Sequence, residues 1–169
     1  GAPNVGKSTL VNRLVGAKVS IVSPKVQTTR ARVRGIRVVG AAQLVLVDTP
    51  GIFDNAKRRL ERAMVHAAWS GAQDADAILL LIDSVKGLDA NTRRIRKGLV
   101  KAGRKALVAI NKIDQVPHES LLPLAAALDD DVSAERVFMI SALNGEGVED
   151  LLNHLLSLLP EGPWLYPED

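Results

Sequence analysis

The chain has 169 residues, enough for one domain with a continuous core, and apolar residues make up 47% of it against 24% charged. It contains no cysteine, which excludes disulfides and thiolate metal sites and fits a reducing cytosol. The longest apolar run, residues 77–82, is too short to span a bilayer. The net charge of +3 is too small to indicate nucleic-acid binding by itself.

Short aliphatic runs alternate with helical patterns along the chain. A helix is expected after the glycine-containing loop 1–8, and residues 32–39 are expected to form an antiparallel edge hairpin with the strand that follows. Strands buried on both faces are predicted at 44–47, 78–82, 106–110 and 137–140, and helices at 57–71, 89–102 and 148–159. The pattern predicts an α/β fold, a three-layer sandwich whose sheet is mainly parallel with one antiparallel edge strand.

The sequence at each end of the chain predicts how the domain continues there. A phosphate-binding loop follows a strand, so a first strand is expected before residue 1 and missing from the chain. The segment 160–169 contains proline and glycine and follows the last helical pattern, as a linker would. We therefore expect one domain over residues 1–159 and a linker after it.

The first eight residues, GAPNVGKS, match the phosphate-binding pattern G-x-x-x-x-G-K-[ST] at every fixed position. Backbone N–H groups of such a loop and the positive end of the next helix attract phosphates, while Lys7 reaches the β- and γ-phosphates and Ser8 ligates Mg²⁺. The alternative is a glycine-rich turn that opens a helix. The nucleotide contacts predicted here are Asn4, Val5, Gly6, Lys7, Ser8 and Thr9.

Two further segments are expected near the γ-phosphate. Asp48 and Gly51 belong to a D-T-P-G sequence at the end of a strand, where Asp48 can hold Mg²⁺ through water and the Gly51 N–H can reach the phosphate. In segment 23–30, Thr29, or failing it Thr28, can close over the γ-phosphate and ligate Mg²⁺. A polar loop with helix-capping threonines is the alternative for that segment. The predicted metal ligands are thus Ser8, Thr29 and Asp48.

A base-recognition sequence, N-K-I-D, follows the strand at 106–110. The Asp114 carboxylate can accept two hydrogen bonds from guanine, whereas adenine would leave it unpaired at a cost of roughly several kcal/mol. Lys112 can lay its methylene stem on the base, and Asn111 can tie the base loop to the phosphate loop. After the next strand, backbone groups that can reach the guanine carbonyl come from Ser141, Ala142 and Leu143.

With these motifs in hand, the chain resembles the Era family of bacterial GTPases, within the larger group that includes TrmE and Der. The sequence G-x-P-N-V-G-K-S-T-L-x-N at residues 1–12 is typical of the group, and Q-T-T-R at 27–30 resembles Era in particular. The tail at 159–169 is similar to the linker that leads into an RNA-binding KH domain in Era. The KH domain itself is not in the chain.

The resemblance implies a GTP-hydrolysing switch that binds GTP and GDP with Mg²⁺. It implies that the intact protein binds 16S ribosomal RNA and the small ribosomal subunit through the KH domain. It also implies a cytoplasmic protein, with peripheral contact at the inner face of the membrane and no obligate oligomer. The catalytic groups would be Lys7, Thr29, Gly51 and Asn4.

Ile52 departs from the pattern of Ras-like GTPases, in which a glutamine at this position orients the attacking water. The unaided rate of hydrolysis is therefore expected to be low. Relatives with a hydrophobic residue here often use K⁺ held partly by an asparagine of the phosphate loop, and Asn4 occupies that position. K⁺ activation is the resulting hypothesis.

Other functions stay open at this point. One is a GTPase of the same group that acts on tRNA modification or on the large subunit. Another is a guanine-nucleotide binding module with negligible turnover, which Ile52 keeps open. A P-loop ATPase or small-molecule kinase is disfavoured by the base-recognition residues Asn111 and Asp114.

Overall fold

The computed structural model describes residues 1, 5–16, 32–48, 75–130 and 133–159. This part of the chain contains five strands and four α-helices. The strands are β1 (Arg32–Val39), β2 (Ala42–Asp48), β3 (Leu79–Asp83), β4 (Ala106–Asn111) and β5 (Ala134–Met139). The helices are α1 (Lys7–Val15), α2 (Ala90–Lys101), α3 (His118–Asp129) and α4 (Val148–Leu158), with a 3₁₀ turn at Ile113–Gln115.

Strands β3, β4 and β5 form a parallel sheet in the order β3-β4-β5, while β1 and β2 pair antiparallel. Side chains of successive strand residues point to opposite faces, so each strand supplies two hydrophobic clusters. Leu81 and Leu107 pack with Leu151 of α4 on one face, and Ile82 and Val108 pack with helices α2 and α3 on the other. Helices on both faces of the sheet make the three layers that the sequence predicts.

The predicted elements agree closely with the structure where it describes them. The antiparallel hairpin is confirmed and turns at Gly40 and Ala41, and α2 has Asp89 as its N-cap, whose carboxylate accepts from the Thr92 N–H at 2.8 Å. The predicted helix at 57–71, the predicted linker at 160–169 and the strand expected before residue 1 lie outside the described residues.

Two of the strands are not buried on both faces, contrary to the sequence-based expectation. Val47 of β2 and Met139 of β5 are exposed, whereas every residue of β4 is buried. Among the described strands, β4 has a neighbour on each side, whereas β5 pairs with β4 alone and β2 with β1 alone. An aliphatic run alone does not tell a central strand from an edge strand.

Helix α3 is an element that the sequence pattern does not predict. Pro123 lies inside it, where a proline lacks the N–H that would continue the hydrogen-bond ladder. Leu121 and Leu128 are nonetheless fully buried against the sheet. Burial of this leucine pair outweighs the local cost of the proline, an effect that local sequence cannot show.

The hairpin lies against α1 at Gly35, beside an irregularity in the β1–β2 register. A Cβ added at Gly35 would lie 2.5 Å from Cγ2 of Val15, a buried residue in the last turn of α1. Only a glycine therefore lets the strand and the helix pack at this distance.

We expect Gly35→Ala to lower the free energy of unfolding by about 1–3 kcal/mol, because the added methyl overpacks this contact. In a Val15→Ala background the same substitution should cost clearly less, since the clashing methyl group is gone. Urea denaturation of the four proteins in this double-mutant cycle measures the coupling. An equal cost in both backgrounds would contradict the contact.

Candidate functional site

The phosphate loop leads into α1 through Gly6, which has a left-handed backbone with φ of +96°. Its carbonyl accepts the first helical hydrogen bond, from the Leu10 N–H at 3.0 Å. A Cβ at this position would overlap Nδ2 of Asn111. Gly6 is thus required both by its backbone conformation and by the close approach of Asn111, and as N-cap it leaves the first turn of α1 open to an anion.

Asn111 at the end of β4 joins the phosphate loop to the predicted base loop. Its amide nitrogen donates to the Val5 carbonyl at 2.8 Å, and its amide oxygen accepts from the Ala142 N–H at 2.9 Å. The side chain is 2% exposed, so both bonds lie in a region shielded from water. The structure confirms this tie between the two loops, which the sequence predicts.

Lys112 has a left-handed backbone, with φ of +64° and ψ of +33°. Such a conformation is costly for a residue other than glycine and persists only where neighbours hold it. Ser84 is one of them, since its hydroxyl donates to the Lys112 carbonyl at 2.9 Å and its N–H donates to the Asn111 carbonyl at 3.0 Å. The turn Ile113–Gln115 follows and leaves Asp114 exposed.

Asp83 holds the side chain of Lys112. Its Oδ2 lies 2.9 Å from the Lys112 Nζ, and its Oδ1 accepts from the Val85 N–H at 2.8 Å. Burial alone would raise the pKa of Asp83, but the hydrogen bonds from Lys112 and from the Val85 and Lys86 N–H groups, with the charge of Lys112, hold that pKa below its ordinary value. Asp83 is therefore ionised at neutral pH and fixes the ammonium group.

The loop after β5 is organised by its own backbone. Ser141 is fully buried, its N–H donates to the Glu146 carbonyl at 2.9 Å, and its hydroxyl accepts from the Asn144 N–H at 3.2 Å. Ala142 is buried and Leu143 is largely exposed. The loop thus has a fixed inner end at Ser141 and an outer end that faces solvent.

Arg13 of α1 also contacts this loop. Its Nε donates to the Ala142 carbonyl at 2.9 Å, and its Nη2 donates to the Leu143 carbonyl. The sequence-based site contains neither Arg13 nor Asp83. Asp83 has a detectable signal, since it ends an aliphatic strand as Asp48 does, whereas Arg13 has none because it lies outside every motif.

The described part of the chain brings the phosphate-loop residues Val5 and Gly6, the base residues and the 141–143 loop to one end of the sheet. Lys7 is half-buried, and Ser8 and Thr9 are exposed on the first turn of α1. Among the residues that the structure describes, no three or more His, Cys, Asp or Glu side chains form a metal-binding group. Of the other predicted site residues, Asn4, Thr28, Thr29, Gly51 and Ile52 lie outside the described residues, as does the side chain of Asp48.

Comparison with known proteins identifies the family. Residues 1–112 match a family model described as 50S ribosome-binding GTPase. The chain is 60% identical over its whole length to GTPase Era of Rhizobium meliloti and 61% identical to GTPase Era of Agrobacterium fabrum. It covers 54% and 53% of those proteins, so it spans about half the length of the curated relatives it matches.

Solved structures show the same likeness. Era in complex with MgGDPNP and nucleotides 1506–1542 of 16S ribosomal RNA superimposes with a TM-score of 0.81 at 41% identity, over all of this chain and 58% of that one. The Y63A variant of Aquifex aeolicus Era bound to GDP and AlF₄⁻ superimposes with a TM-score of 0.79, also at 41% identity, over 100% and 58% of the two chains. The chain therefore belongs to the family of 50S ribosome-binding GTPases, and within it is similar to GTPase Era.

Proposed function

We propose that the chain binds GTP with Mg²⁺ and hydrolyses it to GDP and phosphate, as the switch domain of an Era-like protein. The observation that carries this proposal is the buried amide of Asn111, which joins the phosphate loop to the base loop. A ligand held by both loops must carry a base at one end and phosphates at the other. Multiple-turnover release of phosphate from GTP, measured with and without ribosomal subunits, tests the proposal.

At the phosphate end, backbone N–H groups of the loop and of the first turn of α1 bind the phosphate oxygens. Lys7 neutralises charge on the β- and γ-phosphates, and Asn4 and Gly51 contact the transferred group. Mg²⁺ prefers hard oxygen ligands, and Ser8, Thr29 and Asp48 are of that kind. When bound, the ion screens the charge that develops during hydrolysis.

At the base end, Asp114 accepts hydrogen bonds from the guanine ring N–H and amine. Lys112 lays its stem along the base while Asp83 holds its ammonium group at 2.9 Å. In loop 141–143 the Ser141 N–H donates to the Glu146 carbonyl and the Ala142 N–H to Asn111, so the N–H of Leu143 is the one proposed to reach the guanine carbonyl. Because these groups discriminate by paired donors and acceptors, adenine nucleotides are excluded.

The similarity to Era supports ribosomal RNA as the partner of the intact protein. The Era structure with 16S ribosomal RNA shares 41% identity with this chain. We propose that the intact protein binds the same class of RNA through a KH domain and acts in small-subunit maturation in the cytoplasm, with only peripheral contact at the membrane's inner face. No helix in the described part of the chain is both long and apolar enough to cross a membrane.

A binding module without turnover is the second candidate, and Ile52 is the observation that favours it. An isoleucine cannot orient a water molecule, so nothing at that position replaces the catalytic glutamine. Tight guanine-nucleotide binding without multiple-turnover phosphate release, also in the presence of ribosomal subunits, would select this candidate.

Asp114→Asn should shift the preference from guanine to xanthine nucleotides. The amide no longer accepts both guanine hydrogen bonds, so GDP affinity should fall roughly a hundredfold or more, while the amide can donate to the C2 carbonyl of xanthine. Competition binding of GDP and xanthosine diphosphate measures the shift. Asp129→Asn, the same change at an exposed residue at the end of α3, is the control. An unchanged preference in Asp114→Asn would place the base elsewhere.

Hydrolysis should be faster in K⁺ than in Na⁺, by roughly tenfold or more, because a cation beside the phosphates offsets the charge that develops there. Asn4→Ala should remove most of this difference. Asn91→Ala, an asparagine in the first turn of α2, should keep it. Turnover is measured by phosphate release at constant ionic strength. Equal rates of the unchanged chain in the two salts would remove K⁺ from the proposal.

Asp83→Asn should lower the free energy of unfolding at pH 7 by about 1–3 kcal/mol, because Lys112 loses its charged partner. The pKa of Asp83 is lowered in the folded chain, so its contribution is present above pH 4 or so and is lost as pH falls through the folded-state pKa. Urea denaturation at pH 7 and near pH 3 should therefore show a difference from the unchanged chain that narrows in acid. A difference that is constant with pH would contradict the ion pair.

A further inference from the structure

We propose that Arg13 is a positioning residue for guanine recognition, which holds the backbone of loop 141–144 against helix α1. This inference rests on the proposed function, because it concerns the same base site. It adds to that site a side chain that touches neither base nor phosphate in the proposed arrangement. Arg13 acts instead through the backbone that is proposed to contact the guanine carbonyl.

The contacts are specific to the arginine fork. Nε donates to the Ala142 carbonyl at 2.9 Å and Nη2 to the next carbonyl, that of Leu143. Two consecutive carbonyls are thus held by two nitrogens of one planar group, an arrangement that a lysine ammonium cannot reproduce. Gly145 lies against the same guanidinium, since a Cβ added there would be 3.0 Å from Arg13 Nη1.

Holding these carbonyls also orients the N–H groups of the loop. The C=O and N–H of one planar peptide point in opposite directions, so fixing the carbonyls of Ala142 and Leu143 fixes the N–H directions of Leu143 and Asn144. Of the other two N–H groups of the loop, that of Ala142 donates to Asn111 and that of Ser141 to the Glu146 carbonyl. Asn111 and Arg13 therefore set the loop backbone together, one from β4 and one from α1.

A pocket follows the same seam between α1 and the loop. It is a largely open groove with a volume of about 480 Å³. It is lined by Thr9, Asn12, Arg13, Gly16, Ala142 and Leu143. Because Thr9 lies in the first turn of α1, after the phosphate loop, Arg13 spans a pocket whose walls belong to both ends of the proposed nucleotide site.

The closing experiment compares two analogues of GDP that differ from it in one group each. In 6-thio-GDP a sulfur, a weaker acceptor, replaces the guanine carbonyl oxygen, while inosine diphosphate lacks the 2-amine that pairs with Asp114. We expect the unchanged chain to prefer GDP over 6-thio-GDP roughly tenfold, and Arg13→Met only about twofold. The preference over inosine diphosphate should stay the same within about twofold. Calorimetric or competition titration of the full chain gives all the ratios.

Arg37→Met is the matched control. Arg37 donates from Nη1 to the Leu14 carbonyl at 2.9 Å, so it also holds the last turn of α1, but it belongs to strand β1 instead of the base site. In this variant the preference for GDP over 6-thio-GDP and the preference for GDP over inosine diphosphate should both be unchanged. Arg13→Lys should lower the 6-thio-GDP ratio less than Arg13→Met does, and it provides the test if the methionine variant does not fold.

The outcomes separate the two levels of the proposal. If the unchanged chain binds GDP no better than either analogue, the proposed base site itself is wrong. Two other outcomes are those in which the unchanged chain prefers GDP over both analogues while Arg13→Met keeps the same preference over 6-thio-GDP, or loses both preferences equally. In either case Arg13 does not position the carbonyl-binding loop. The inference is supported if Arg13→Met loses the preference for GDP over 6-thio-GDP and keeps the preference for GDP over inosine diphosphate.

Discussion

The structure of the site depends on one buried amide, that of Asn111. Both of its polar atoms are used, one on the Val5 carbonyl and one on the Ala142 N–H, in a place that is 2% exposed. Leaving either polar atom of this amide unpaired while it is buried would cost about 1–3 kcal/mol, so both hydrogen bonds favour keeping the two loops together. The same amide requires glycine at position 6, because the Cβ of any larger residue would overlap Nδ2 of Asn111.

Parallel strands place the supporting groups around that amide. β3 and β4 are in register, with Asp83 opposite Asn111, so the carboxyl ends of both strands deliver a polar side chain to the same edge. Asp83 then holds the Lys112 ammonium, and Ser84 holds the Lys112 carbonyl. The left-handed backbone of Lys112 is thus supported from the neighbouring strand, which explains how a costly conformation persists at a recognition site.

The sequence predicts the motifs of this site better than it predicts the residues that hold those motifs in place. The pattern around Gly6 is local, and the tie through Asn111, although its partner Val5 lies 106 positions away, is indicated by a motif at a strand end. The three layers follow from alternating strands and helices. The contact of Arg13 with loop 141–144 spans about 130 positions, and Arg13 belongs to no motif that could indicate it. Helix α3 escapes prediction for a related reason, because Pro123 argues against a helix locally while burial of Leu121 and Leu128 stabilises it globally.

The proposed site has a part that binds the base and a part that meets the γ-phosphate, and the two parts have different effects on a switch between GTP- and GDP-bound states. GTP and GDP share the base and the first two phosphates, so in the proposed arrangement Asp114, Lys112 and loop 141–144 bind both nucleotides alike. Only groups that meet the γ-phosphate can separate the two states, and in the proposed arrangement these are Asn4, Lys7, Thr29 and Gly51. A ligand shifts an equilibrium only by its differential affinity for the two states. In the proposed arrangement guanine recognition therefore contributes equally to the affinity for both nucleotides, and the γ-phosphate contacts alone distinguish the GTP-bound from the GDP-bound state.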